Sequence, residues 1–372
     1  MKRPETATPA AIFDPITLEI YWQRMISIMD EVDNIIVRTA FSTILGEGRD
    51  FACILMDAQG RSLCQSTLSP ATFSVVLPRT AKSLLERFPP DTLAEGDVLA
   101  TNDPWIGTGH LPDYILLTPI FRGGRVVSFI GTVSHMSDVG GHPNEIESLD
   151  VFSEGLWMPP FKLYEGGREN GLAFEIIGRN CRVPHMLLGD LRAMAGAAKV
   201  GAERFHEFLD DYGMADIDAL AAEILGRSEL LMRERIRALP DGKYEYGLDI
   251  DGYIDIVHLL VCVVIAGDEI HMDDAGSSPQ RADAAFNSVF NSTYAPSIYP
   301  FKCALVPVLP NNDGLFCHVN DEIIEVAARL GGELLDDARA DPVEDFSAYQ
   351  SAEHDAKGSG PFQNRVVVVV VV

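Results

Sequence analysis

Two apolar runs separated by a tight turn constrain this chain more than any other feature. Tyr114–Phe121 and Arg125–Val133 are short, rich in Ile, Val, Leu and Phe, and bounded by Gly or Pro. Each therefore reads as a strand, with Arg122-Gly123-Gly124 as the turn of a hairpin. A hairpin returns the chain to where it left. His110 and Asp113, just before the first strand, are thereby brought near His135 and Asp138, just after the second, with Asp103 on the same stretch. Two imidazoles and two or three carboxylates at one sheet end make a donor set suited to a hard or borderline divalent metal. On spacing alone a plainer reading is equally good: polar loop residues bonding the backbone at strand ends.

Helices and strands surround this hairpin without strict alternation. The expected fold is α+β (mixed α/β), with long helices packed on mixed, largely antiparallel sheets. Asp14 is an N-cap and Pro15 a first helical residue. Apolar spacing from Leu18 to Ile36 carries that helix to about Phe41. Phe51–Met56 and Ser62–Gln65 read as strands joined by Asp57-Ala58-Gln59-Gly60. Glu47, Arg49 and Asp50 precede them, either as a solvated loop or as one wall of a pocket. Arg49 is a candidate clamp for a substrate carboxylate or carbonyl, weighed against a surface ion pair. A helix over 73–88 and a strand over 96–100 lead to Asn102-Asp103-Pro104. Residues 140–171 hold many Gly and Pro without periodicity and read as a long functional loop. Helices are expected over 184–212 and 216–237, and strands over 243–250, 254–265 and 269–273. Val257–Ile265 reads as a buried central strand, and residues 301–309 as a further buried element.

The organisation expected is an arm at 1–13, a metal or catalytic-type domain at 14–180, and a helical-plus-sheet region at 181–315. An acidic tail at 316–372 ends in seven valines, which read as an artefact. The formal charge of −26 argues against nucleic acid or an anionic membrane as partner. The six cysteines form no CxxC pair and read as free thiols in a reducing compartment. With no secretory leader pattern and no apolar run of about 20 residues, a cytoplasmic protein is expected. No GxGxxG after a strand, GxxxxGK[ST], HExxH or GxSxG motif is present.

RDFACILMDAQGRSLCQS, NDPWIGTGHLPD, SHMSDVGG, SEGLWMPPFKL, LLGDLRAMAGAAKVGAERFHE and DDAGSSPQ follow one another in this order. Together they resemble the hydantoinase B/oxoprolinase family over residues 14–315. That family covers ATP-dependent hydantoinase B subunits, the C-terminal part of 5-oxoprolinases, and a large subunit of acetone and acetophenone carboxylases. The resemblance implies a hydantoinase A-type partner, an actin-like ATPase that binds ATP, in a hetero-oligomer. It also implies a divalent metal, manganese or else zinc or iron, carried over to His110, Asp113 and His135. Asp103 becomes a ligand or general base, and Asp138 a ligand or an acceptor from a ligating histidine. The glycines after Asp138 would let backbone approach a substrate. His142 and Glu145 are set aside, and His185, His206 and His258 read as structural.

The expected function is a subunit of an ATP-dependent cyclic-amide hydrolase, of hydantoin or 5-oxoproline type. The alternatives are an ATP-dependent acetone- or acetophenone-type carboxylase subunit and a truncated, inactive interaction subunit. Two departures motivate the last. Family members commonly carry two adjacent histidines where this chain has His135-Met136, and the resemblance fades after Leu315-Phe316.

Overall fold

The computed structural model describes residues 13–142, 150–252, 255–279, 287–316 and 319–320. The N-terminal arm up to residue 12, Glu145, Cys317, and the acidic stretch and valine run from residue 321 lie outside the described residues.

Helix α1 (Pro15–Thr39) starts as its sequence dictates. The Asp14 carboxylate accepts from the Ile16 and Thr17 amides at 3.0 and 3.1 Å, satisfying donors that have no partner within the helix. Strands β1 (Phe51–Asp57) and β2 (Ser62–Gln65) follow. Then come α2 (Ala71–Arg87), β3 (Val98–Thr101), β4 (Asp113–Arg122) and β5 (Arg125–His135). A single antiparallel sheet takes the order β2-β1-β5-β4-β3 and continues into β6 (Phe161–Glu165) and β7 (Arg168–Glu169).

The central hairpin is apolar throughout because both of its faces are covered. Tyr114, Leu116 and Ile130 turn toward the core made with α1, α4 (Gly171–Arg179), α5 (Pro184–Asp211) and α6 (Asp218–Arg237). Ile115, Leu117, Phe129 and Val133 turn the other way, into the core made with α2. One apolar core thus joins residues from Leu18 to Leu225.

A second sheet holds β8 (Gly242–Asp251), β9 (Ile256–Ala266) and β10 (Glu269–Asp273), all antiparallel, with the two-residue β11 (Val319–Asn320) parallel to β10. Its inner end packs on α2, α6 and α7 (Phe290–Leu305). The expected mixed, largely antiparallel α+β architecture is therefore the one found.

Three local readings differ. The 140–171 stretch is not structureless: α3 (Val151–Glu154), β6 and β7 lie in it, each too short to show periodicity. Helix α7 was hidden by Pro296 and Pro300 inside it, residues that break a helical pattern on paper. Strand β9 is central in its sheet as expected, but only Val257, Cys262 and Ile265 of the run are buried. Among the described residues, no helix is long and apolar enough to cross a membrane.

Candidate metal centre

The hairpin register sets the site. Asp113 opens β4 and His135 closes β5, and the two stand directly opposite each other. Opposed residues share a sheet face, so the Asp113 carboxylate and the His135 ring meet: Nδ1 to Oδ1 is 2.9 Å. His110 lies in the loop before β4 and reaches the other carboxylate oxygen, Nε2 to Oδ2 at 2.8 Å. The two rings are 5.2 Å apart between centroids, and one donor atom from each of the three residues falls within 4.8 Å of the others. Asp113 is buried while the two imidazoles keep partial access to solvent.

Charge follows from this geometry. Burial pushes the Asp113 carboxyl up, but the hydrogen bonds from His110 and His135 outweigh it and bring it down to about 2. For His110, desolvation pulls down, yet Asp113, Glu154 and Asp50 together hold it above the ordinary imidazole range. The carboxylate is thus ionised and clasped between two ring nitrogens. The lone pairs that hold these protons are the ones a divalent cation would take in their place. Two imidazoles and one carboxylate, with no sulfur, fit a hard or borderline divalent ion.

The Hydantoinase B/oxoprolinase family pattern matches residues 14–327. The chain belongs to the hydantoinase B/oxoprolinase family. The match runs past Phe316, where the resemblance read from the sequence stops. A Pseudomonas sp. (strain NS671) protein, provisionally named as the B subunit of a D-/L-hydantoinase, is 31% identical over 77% of this chain and 50% of its own length. 5-Oxoprolinase 1 of Arabidopsis thaliana is 27% identical over 89% of this chain and 29% of its own length. The crystal structure of the ATP-dependent caprolactamase from Pseudomonas jessenii superposes with a TM-score of 0.73 at 27% identity, over 83% of this chain and 54% of that one. An acetone carboxylase structure, at 20% identity over 82% of this chain and 43% of that one, superposes with the same score and shows the shared fold. The chain spans half or less of the length of the two curated relatives.

Within this hydantoinase B fold the other sequence candidates take separate places. Met136 is buried in the main core, and its amide bonds to Pro112 O at 2.8 Å. Strand alternation sends His135 and Met136 to opposite faces, and it is His135 that faces Asp113. Asp138 is fastened by Arg182, Oδ1 to Nη1 at 2.7 Å, and by the Gly140 amide at 3.0 Å. Burial raises its carboxyl, and these donors more than reverse that. Arg49 pairs with Asp33 at 2.6 Å. Asp103 accepts from the Trp105 amide at 2.9 Å, and desolvation pushes its carboxyl up. Gly140 and Gly141 do allow a close backbone approach, but to Asn180 O and to the Glu154–Gly155 peptide of the protein itself.

Asp50 stands close enough to feel the cluster. Desolvation and the Asp113 charge raise its carboxyl, and its backbone carbonyl accepts from the His135 amide at 3.1 Å. The sequence reading missed the support around the loop. Asn102 is buried and donates to Leu111 O at 2.7 Å and Leu156 O at 2.9 Å. From α7, Asn291 donates to Ile106 O and Gly107 O, both at 3.0 Å, and the Ser292 hydroxyl donates to Thr108 O. Arg79 lies over the Phe290 and Tyr294 rings at 4.5 and 4.7 Å, and its Nε donates to Asn291 Oδ1 at 2.9 Å. Apart from Asn102 and Leu111, which lie nine residues apart in one motif, these partners are far apart in sequence, so spacing carried no signal.

Proposed function

We propose that this chain is the metal-bearing subunit of a cytoplasmic, hetero-oligomeric, ATP-dependent cyclic-amide hydrolase. ATP would be bound by a separate hydantoinase A-type subunit, and the substrate would be of hydantoin or 5-oxoproline type. One observation carries the reading: a His110–Asp113–His135 cluster at the open end of a buried hairpin, in a family whose relatives are named for hydantoin, caprolactam and 5-oxoproline.

His110, Asp113 and His135 would hold the ion, manganese or else zinc or iron. A divalent ion there supplies positive charge to an oxygen on which negative charge develops. The protein residues do the rest. Asp113 fixes the orientation of both rings and stays ionised through neutral pH. Asp103, raised by desolvation, is the carboxyl proposed to hold or pass a proton. Asp138 and Arg49 already have partners, so their proposed part is to anchor the loops on either side.

The test is metal content by elemental mass spectrometry for wild type and His110→Ala, then ATP turnover with the A-type partner. The expected result is a near-stoichiometric ion that disappears in the variant, and turnover stimulated by a cyclic amide without bicarbonate. Bicarbonate-dependent turnover would move the assignment to a ketone carboxylase. No ion in the wild type after reconstitution would overturn it.

A further inference from the structure

The two histidines of the centre are held in unequal ways. His135 ends a strand, and the β4–β5 register and the bond from its amide to Asp50 O fix it. His110 lies outside any strand, in a loop whose backbone groups have no ladder to join. Its neighbour Leu111 is fully buried, and the Leu111 amide donates to Glu154 Oε2 at 3.1 Å.

Glu154 is itself rigidly delivered. It ends α3, a single turn whose N-cap Asp150 accepts from the Ser153 amide at 2.9 Å. On either side of it the strap is bonded to the segment beyond His135. The His142 amide donates to Ser153 O at 2.7 Å, and the Leu156 amide to Val139 O at 2.8 Å. Gly155, at φ 145°, lies so close that a Cβ would come within 2.5 Å of Val139 O. Asn102 completes the clasp: it bonds Leu111 O and Leu156 O, and its own Oδ1 accepts from the Met158 amide at 2.7 Å. Residues 150–158 therefore tie the loop before β4 to the turn after β5, and Glu154 is the side chain that reaches back to the His110 loop.

We propose that Glu154 is a positioning residue that sets His110 against Asp113 by accepting the Leu111 N–H. This rests on the metal-centre reading for its function but not for its geometry. If it holds, an amide can replace the carboxylate and a methyl group cannot.

The experiment compares Glu154→Gln and Glu154→Ala in the full chain, with Co²⁺ and Mn²⁺ alone as probes. Hydrogen exchange of the peptide spanning 104–113 is followed in the metal-free protein. Glu154→Ala should bind at least about tenfold more weakly and change the visible spectrum of bound cobalt, whereas Glu154→Gln should stay within about threefold of wild type. Exchange over 104–113 should quicken in Ala and not in Gln. Unchanged affinity and exchange in Glu154→Ala would overturn the proposal, as would a Gln variant as weak as Ala. If the wild type takes no ion, the metal reading fails, and the exchange contrast decides the positioning role by itself.

Discussion

Among the described residues, two long antiparallel strand pairs each set an aspartate opposite a histidine. In β4–β5 the pair is Asp113 and His135, at 2.9 Å; in β8–β9 it is Asp249 and His258, at 2.7 Å. The local motif is the same and the settings differ. Asp113 is 3% exposed and His135 23%, while Asp249 is 65% exposed and His258 48%. At the first pair a loop brings a second imidazole onto the remaining carboxylate oxygen. Among the described residues no such group of three includes the second pair. A cross-strand Asp–His contact is therefore not a site. It becomes a candidate when sheet faces covered by helices bury the carboxylate and a buttressed loop adds His110.

The sharpest way to break this comparison is Asp113→Ala. It removes the one group that both imidazoles share. Metal affinity should fall by more than about 100-fold, beyond what loss of a mere supporting residue costs. The metal-free protein should lose about 1–3 kcal/mol, because two partly exposed rings lose their acceptor but can still turn to water. Titration with Mn²⁺ and thermal unfolding would check both. An Asp113→Ala protein that binds as wild type would mean that burial of the pair has nothing to do with metal.

Next comes the loop that distinguishes the two hairpins. Gly109 sits at φ 108°, and a Cβ there would meet Ser292 Oγ at 2.0 Å. Gly109→Ala should strain the backbone and push the loop off α7, costing about 2–3 kcal/mol. It should weaken metal binding about tenfold through the displacement of His110. Gly267 in the β9–β10 turn is the matched control, since its φ is 67° but nothing lies within 4 Å of its Cβ position. Gly267→Ala should show only the backbone cost, about 1 kcal/mol, and unchanged metal affinity.

These two glycines also mark what the sequence made legible. The β4–β5 hairpin could be read because its strands are buried on both faces and so are continuously apolar between glycines. The register followed, and with it the meeting of His110, Asp113 and His135. Asp138 and Arg49 could not be placed, because their partners, Arg182 and Asp33, are brought to them only by tertiary packing. The strap at 150–158 and the α7 buttress were illegible for a related reason. A one-turn helix has no period, and a helix with Pro296 and Pro300 inside it conceals the one it has. The β8–β9 hairpin was readable as strands, but its exposure was not. An apolar run such as Val257–Ile265 does not say whether anything packs on it.

Titration gives a further test of the buried centre. The Asp113 carboxyl is depressed to about 2, so its contribution to stability is present above the unfolded value near pH 4 and is lost as pH falls through about 2. That contribution amounts to about 2 kcal/mol. His110 is raised, so its contribution is full below its unfolded value near pH 6.5 and is lost as pH rises through the folded one. Metal binding runs the opposite way to the His110 contribution, because the ion takes the place of ring protons. Mn²⁺ affinity should rise several-fold to about tenfold between about pH 6 and about pH 8. A flat profile would mean that no proton leaves His110 on binding.

The smallest effect expected is the one on which the comparison leans hardest. Asp249→Ala removes a hydrogen-bonded Asp–His contact as short as the one at the candidate centre. If distance between the partners decided the matter, the loss should resemble that of Asp113→Ala. Both groups are well exposed, however, so water screens the charges and replaces the bond when it goes. The change in stability should stay within about 0.5 kcal/mol, and metal stoichiometry and affinity should not move. A wild-type protein that binds two ions, with one lost in Asp249→Ala, would show that the cross-strand pair suffices without burial or a third ligand. One ion, retained in Asp249→Ala and lost in Asp113→Ala, would place the difference in the setting rather than in the pair.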